Sequence, residues 1–338
     1  MLRHIDICII LILCIIFGVP SSANAEDDMV KIEGGTFWMG SDAGNQAMPH
    51  GGVNNESPVH EVKLDGFWID KHPVTNEQYA KFVKAAGYAT YSEQTPKAED
   101  WPGALPEMLV PASIVFKKPT TKVNMNNLYN WWEYKPGASW QHPEGPQSNI
   151  KKRVDHPVVH VTYDDAAAYC TWAGKEMLTE AQWEYAARGG LTKKIYTWGD
   201  QPDHLKKKMM NFWEGEFPYK NSGSDGHLIT SPVGSFPPNG YGLYDMAGNV
   251  WEWVSDWYHP RYYEVSPKNN PAGVPKEHSL DPHEPGIPKR IVKGGSFLCS
   301  ENYCTGYRPS SRMATDPRSS SNHTGFRCVK NQNQELSK

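Results

Sequence analysis

Cysteine is scarce in this chain: six occur in 338 residues. Two of them, Cys8 and Cys14, fall in the first 25 positions. No basic run is present, and 34 basic residues stand against 38 acidic ones for a net charge of −4. That balance argues against nucleic acid as a partner. No internal repeat and no clear domain boundary appear. The apolar run Ile7 to Phe17 falls short of the ~20 residues that a membrane-spanning helix needs. No cysteine follows it to accept a lipid, so no stable membrane anchor is expected. The run reads as a signal peptide, with Arg3 and His4 ahead of it and Ala23-Asn24-Ala25 as a small-x-small cleavage pattern before Glu26. The mature chain is then periplasmic or secreted.

Turn formers are plentiful. The chain has 29 Gly and 27 Pro with 38 % hydrophobic residues, which describes a turn-rich globular protein. A helical bundle and a disordered chain are both excluded. The 13 Trp are too many to leave exposed and are expected in core or cleft walls. Val30-Lys31-Ile32, then Gly35 to Gly40, then His60 to Leu64 read as strands. Three helices are marked by capping boxes: Thr75 with Gln78 before 76–86, Thr162 with Asp165 before 163–173, and Thr179 with Gln182 before 180–188. Each meets a glycine stop, at Gly87, Gly174 and Gly189-Gly190. Residues 92–150 and 259–290 are Pro-rich excursions. The tryptophans of the first predict order. The lack of aromatics after Tyr263 predicts that the second is mobile.

Once the signal is removed, Cys170, Cys299, Cys304 and Cys328 remain, and four cysteines allow three pairings. Cys299 and Cys304 lie five positions apart behind Gly294-Gly295. Two thiols that close can hold a soft metal ion, form a disulfide or do redox chemistry in turn. His156 and His160 would share one face of a strand but lie ~13 Å apart along it. They are expected to be packed or hydrogen-bonded separately rather than to share an ion. Asn322-His323-Thr324 fits a glycosylation sequon and is read as a chance match.

Longer blocks carry a resemblance. They are Gly35 to Gly40, Val74-Thr75-Asn76, His156 to Val161, Ala168 to Gly174, Leu178 to Gly190 and Pro238 to Trp253. With them go Gly294 to Cys304 and Gly325-Phe326-Arg327-Cys328. Together they resemble the formylglycine-generating enzymes, the sulfatase-modifying factors, from about Val30 to Lys330. The outer blocks are shared with paralogues that lack the chemistry and so specify fold. The cysteines behind Gly-Gly-Ser are the specific part. The resemblance implies an irregular α+β fold similar to C-type lectins, with low regular secondary structure. The expected boundaries are a signal peptide at 1–25 and one domain at 26–338, with its core at about 30–330.

The family uses molecular oxygen to convert a cysteine of an unfolded sulfatase, in a segment similar to Cys-x-Pro-x-Arg, to formylglycine. Carried onto this chain, Cys299 and Cys304 would bind Cu(I) as thiolates, since soft thiolates select that soft ion. Ser296 matches a family serine beside the metal, Trp251 a tryptophan lining the oxygen pocket, and Tyr303 the residue before the second cysteine. Cys170 and Cys328 match a family disulfide. The second bridge of animal members has no counterpart, because Ala186 and Pro309 stand at its positions, which implies a bacterial-type member. Two structural Ca2+ sites are implied. One uses Asn211, Phe212, Asp225 and His227, the other Asp245, Gly248, Val250 and Glu252. Phe212, His227, Gly248 and Val250 would give backbone carbonyls.

Two positions depart from the family. Pro73 replaces a common glutamate and Ala112 an acidic residue, and both changes remove charge that would meet a substrate arginine. His323 stands where many members carry a different polar residue. A non-catalytic binding module of this fold would lack the thiol pair. An iron-dependent sulfoxide synthase would need a further helical domain with a histidine cluster, for which the chain has neither room nor motif.

Overall fold

The computed structural model describes residues 28–42, 55–100 and 103–332. The expected signal segment at 1–25 and Trp101 lie outside the described residues. Helix accounts for 18 % and strand for 21 %, so the fold is α+β with low regular structure.

The helices form where the caps predict. Thr75 precedes α1 (Asn76–Ala86): its hydroxyl accepts from Gln78 N–H, and Gln78 Oε1 accepts from Thr75 N–H. Thr162 and Asp165 do the same for α2 (Tyr163–Trp172), and Thr179 and Gln182 for α3 (Glu180–Arg188). Two donors that helix geometry would orphan are satisfied at each start. Gly87 and Gly189 end α1 and α3 in the left-handed region. The second helix stops one residue before its expected end, with Ala173 as the cap.

Twelve short strands are present among the described residues. β1 (Met29–Ile32), β4 (Phe67–Asp70), β12 (Cys328–Asn331) and β7 (Glu176–Met177) form one antiparallel sheet in that order. A second sheet runs β10 (Met313–Thr315), β9 (Arg290–Lys293), β8 (Trp251–Trp257), β11 (Thr324–Gly325). β11 joins β8 in parallel, pairing Thr324 with Trp251 and Gly325 with Glu252. β2 (Gly35–Met39) pairs with β3 (His60–Leu64), as the alternation there implies. β5 (Ala112–Phe116) pairs with β6 (Trp132–Pro136) inside the first Pro-rich excursion. Trp131 and Trp140 of that excursion are buried, so its tryptophans do order it.

The second excursion is tied down, against expectation. Tyr262 and Tyr263 are buried at its start, and Tyr263 Oη donates to Glu180 (3.0 Å). Lys63 N–H donates to Lys268 O (2.7 Å), and Ser279 Oγ donates to Tyr258 O (3.0 Å). Polar links do here what aromatic packing was thought necessary to do.

Charge is also buried. Lys293 of β9 lies 3.5 Å from Glu180 and 3.3 Å from Glu184 of α3, and Arg312 reaches Glu180 at 2.8 Å. Paired this way, the charges are compensated in the interior. None of the described helices is long and apolar enough to cross a membrane.

Candidate active site at the paired thiols

β9 leaves its sheet through Gly294 and Gly295, both at positive φ (90° and 69°). A Cβ on Gly295 would sit 2.6 Å from Tyr307 N, so only glycine fits. The chain then turns back on itself. Cys299 N–H donates to Ser296 O (2.9 Å), and Cys304 N–H donates to Ser300 O (2.9 Å). Phe297 N–H donates to Asn249 O (3.0 Å) and Trp213 N–H to Cys299 O (2.8 Å), which anchors the turn to two neighbouring loops.

This turn brings Cys299 Sγ and Cys304 Sγ to 2.7 Å, and both residues are buried and outside any disulfide. The separation exceeds the ~2.05 Å of a disulfide. Burial and the adjacent Cys304 push the Cys299 thiol well above its ordinary range. Cys170 and Cys328 are bonded to each other, with Cα atoms 5.7 Å apart. Their bridge joins α2 to β12 and belongs to chemistry that persists in oxidising compartments.

The wall around the thiols is aromatic. Trp251 is buried at the start of β8, and its N–H donates to His323 O (2.9 Å). Gly306 lies between that indole and the thiols: a Cβ there would fall 2.3 Å from Trp251 Cη2 and 3.2 Å from Cys304 Sγ. Tyr303 stacks on Phe217 at 4.2 Å and meets Trp131 edge-on.

Ser296 opens the turn that carries the pair. Its Oγ accepts from Leu298 N–H (3.3 Å) and is 3.0 Å from His323 Nδ1. His323 packs on Trp132, and burial together with nearby His160 pushes its imidazole down to about 3. The ring is therefore neutral, with one nitrogen to donate and one to accept. Sequence reading singled out His323 and left its role open. Gly306 and Tyr307 carried no local signal, since what they touch is fixed only by the turn.

His156 and His160 do not lie on a strand. His160 has φ of 60° and bonds Ser113 Oγ (2.7 Å) and Pro143 O (2.8 Å), while His156 bonds Thr230 Oγ1 (2.9 Å). They have separate partners, as expected. Asn322 is buried and its Oδ1 accepts Phe116 N–H (3.1 Å), so the sequon asparagine is spent on structure.

The residues of the first implied Ca2+ site come together around Asp225, which accepts Phe212 N–H (3.1 Å) and His227 N–H (2.8 Å). Asn211 Nδ2 donates to Ile229 O (2.8 Å). Around the second, Asp245 accepts Gly234 N–H (2.8 Å) and Asn249 Nδ2 (3.3 Å). Gly248 N–H donates to Gly294 O (2.8 Å), which ties this loop to the Gly-Gly turn. Val250 is buried just ahead of β8. Glu252 is placed differently from its neighbours. Its carboxylate takes Arg327 at 2.7 Å on both oxygens and Trp183 Nε1 at 2.8 Å.

Pro73 and Ala112 border the segment that carries His323. Val74 N–H donates to Phe326 O (2.9 Å), and Ala112 opens the strand whose Ile114 N–H donates to Ser320 O (3.1 Å).

A family described as "Sulfatase-modifying factor enzyme 1-like domain" matches residues 17–332. The formylglycine-generating enzyme of Mycobacterium tuberculosis is 43 % identical over 302 residues, covering 89 % of this chain and 97 % of its own. That of Thermomonospora curvata is 43 % identical over 316 residues, covering 93 % and 97 %. The solved structure of PvdO from Pseudomonas aeruginosa superposes with a TM-score of 0.59 at 24 % identity, covering 90 % of this chain and 94 % of that one, and shares the fold. Close homology to these formylglycine-generating enzymes makes the chain an enzyme of the oxidoreductase class. The chain belongs to the formylglycine-generating enzyme family.

Proposed function

We propose that this protein oxidises a cysteine in a Cys-x-Pro-x-Arg segment of an unfolded sulfatase to formylglycine, with molecular oxygen as acceptor and Cu(I) held by Cys299 and Cys304. The thiol pair carries this reading: two buried sulfurs 2.7 Å apart, not joined in a disulfide, behind a Gly-Gly-Ser turn. The donor set fits the ion, because two soft sulfurs suit a soft ion of low coordination number. Among the described residues no group of three or more His, Cys, Asp or Glu gathers to hold a metal, whereas a tetrahedral zinc site draws on four donors. When bound, Cu(I) would supply one-electron chemistry with oxygen and a further position for the substrate thiolate.

The chain's own residues prepare the site. Trp251 and Gly306 close one side, where even an added methyl would fall 2.3 Å from the indole. Tyr303, fixed by Phe217, walls another. Ser296, paired with neutral His323, is a fixed hydroxyl at the start of the thiol turn that can hold or pass a proton. Converting the substrate's CH2–SH to an aldehyde takes oxygen from water, releases hydrogen sulfide and gives up two electrons. Full reduction of oxygen to water takes four, so a thiol reductant supplies the other two. With Pro73 and Ala112 uncharged, peptide preference shifts away from a strict need for the arginine.

The Asp225 and Asp245 loops take Ca2+ as structural ions. Burial holds both carboxyls above their ordinary range, a cost that a cation relieves. Glu252 would join the second set through its carboxylate, which Arg327 and Trp183 also engage. Export through the 1–25 segment to the periplasm or medium suits the bridge and a substrate met before it folds.

The test loads the full chain with Cu(I) and supplies a Cys-x-Pro-x-Arg peptide in air with a thiol reductant. Mass spectrometry should show the thiol-to-aldehyde change only when copper and oxygen are both present. Conversion without copper, or no conversion of any sulfatase-derived peptide by copper-loaded protein, overturns the reading.

A further inference from the structure

The span between the two thiols is a tight turn, with the N–H groups of Tyr303 (3.2 Å) and Cys304 (2.9 Å) both donating to Ser300 O. Glu301 and Asn302 form its exposed tip. Under that tip lies His204, whose side chain is fully buried. Its ring is enclosed by those of Tyr196 (5.1 Å), Phe212 (5.3 Å), Tyr307 (5.3 Å) and Trp198 (5.6 Å). Neither ring nitrogen makes a hydrogen bond. A buried polar group left unpaired costs about 1–3 kcal/mol, so this imidazole calls for a partner. Glu301 supplies one: its Oε1 is 3.5 Å from His204 Nε2.

We propose that Glu301 and His204 form a latch that sets the spacing of Cys299 and Cys304, with His204 acting as a positioning residue through Glu301. A slide of roughly half an ångström brings the two atoms to ordinary hydrogen-bond length. A neutral imidazole has one N–H to give. Phe212 belongs to the same wall, and the next residue, Trp213, holds Cys299 O. One loop thus fixes the first thiol through the backbone and helps house the histidine that fixes the tip. A released tip lets the sulfurs part. The latch rests on the copper reading only for its effect on turnover, because thiol spacing can be read on metal-free protein.

The experiment times Cys299–Cys304 disulfide formation in the reduced, metal-free full chain after addition of diamide, by alkylation and mass spectrometry. Glu301→Ala should slow it about tenfold, the equivalent of one modest coupling energy. Glu301→Gln should restore most of the rate, because the amide oxygen still accepts. His204→Phe should match Glu301→Ala, and the double variant should be no slower than either single one. Cu(I) affinity, by chelator competition, should fall in the same order. A parental rate for Glu301→Ala, or an equal fall for Glu301→Gln, overturns the latch. Should His204→Phe fail to fold, the two Glu301 variants decide alone, since that side chain is half-exposed.

Discussion

Cys170 and Cys328 are 158 positions apart and bonded, whereas Cys299 and Cys304 are five apart, 2.7 Å from sulfur to sulfur, and not bonded to each other. Both pairs lie in one buried apolar cluster, so burial does not separate them. Their supports do. The bonded pair stands on regular elements, α2 and β12, and joins two parts of the fold. The unbridged pair stands on an irregular turn held by Ser296 O, Ser300 O and the Trp213 N–H, and a bond between them would join nothing beyond that turn. A crosslink that would add little to the fold is left open where chemistry can use it.

The largest effects should come from exchanging the roles of the pairs. Cys299→Ser or Cys304→Ser should drop peptide conversion to background, ~10^3-fold or more when a reactive thiol is lost, with little change in melting. Cys170→Ser should do the reverse, costing about 2–5 kcal/mol of stability while copper-loaded protein still converts peptide at 25 °C. Parallel assays of conversion and denaturant unfolding separate the two outcomes, and similar losses from both variants would erase the distinction. Next comes the strand that carries Cys328. Arg327→Met leaves Glu252 buried and uncompensated, and should cost about 3–5 kcal/mol in urea unfolding.

Gly306→Ala presses on the unbridged pair alone. The added methyl meets the Trp251 ring and lies 3.2 Å from Cys304 Sγ. Overpacking of this kind costs about 1–3 kcal/mol, and Cu(I) affinity should fall with it while the Cys170–Cys328 bridge stays intact by mass. The smallest effect is expected at the start of the helix bearing Cys170. Thr162→Ala removes a capping box and should lower stability by ~1 kcal/mol without changing conversion.

What sequence could reveal followed the range of the forces involved. Capping boxes are contacts across three residues, so all three helices were visible from Thr75, Thr162 and Thr179. The β2–β3 pair was visible from alternation. The β5–β6 pair was not, because 15 residues separate its strands and its edges are bound by Ser320 and Asn322 from the far end of the chain. Pro-rich composition after Tyr263 was misread as mobility, since the cross-links from Lys63 and Glu180 are invisible locally. At the site, the thiols and Ser296 were legible from one short run. The roles of His323, Gly306 and His204 were not, because each gains its meaning from a contact made across the fold.

The bridge that skips over the other two thiols has a consequence for how the protein is made. In an unfolded chain, loop closure favours Cys299–Cys304 over Cys170–Cys328 by about 3 kcal/mol, from the ratio of loop lengths. Random oxidation therefore traps the short loop first and leaves Cys170 and Cys328 open. The native pattern is reached when folding brings α2 against β12 before the oxidant acts, or when thiol exchange reopens the short loop. Protein recovered from a denatured, oxidised pool should thus be folded slowly under a thiol buffer, and its yield should be set by redox conditions more than by concentration.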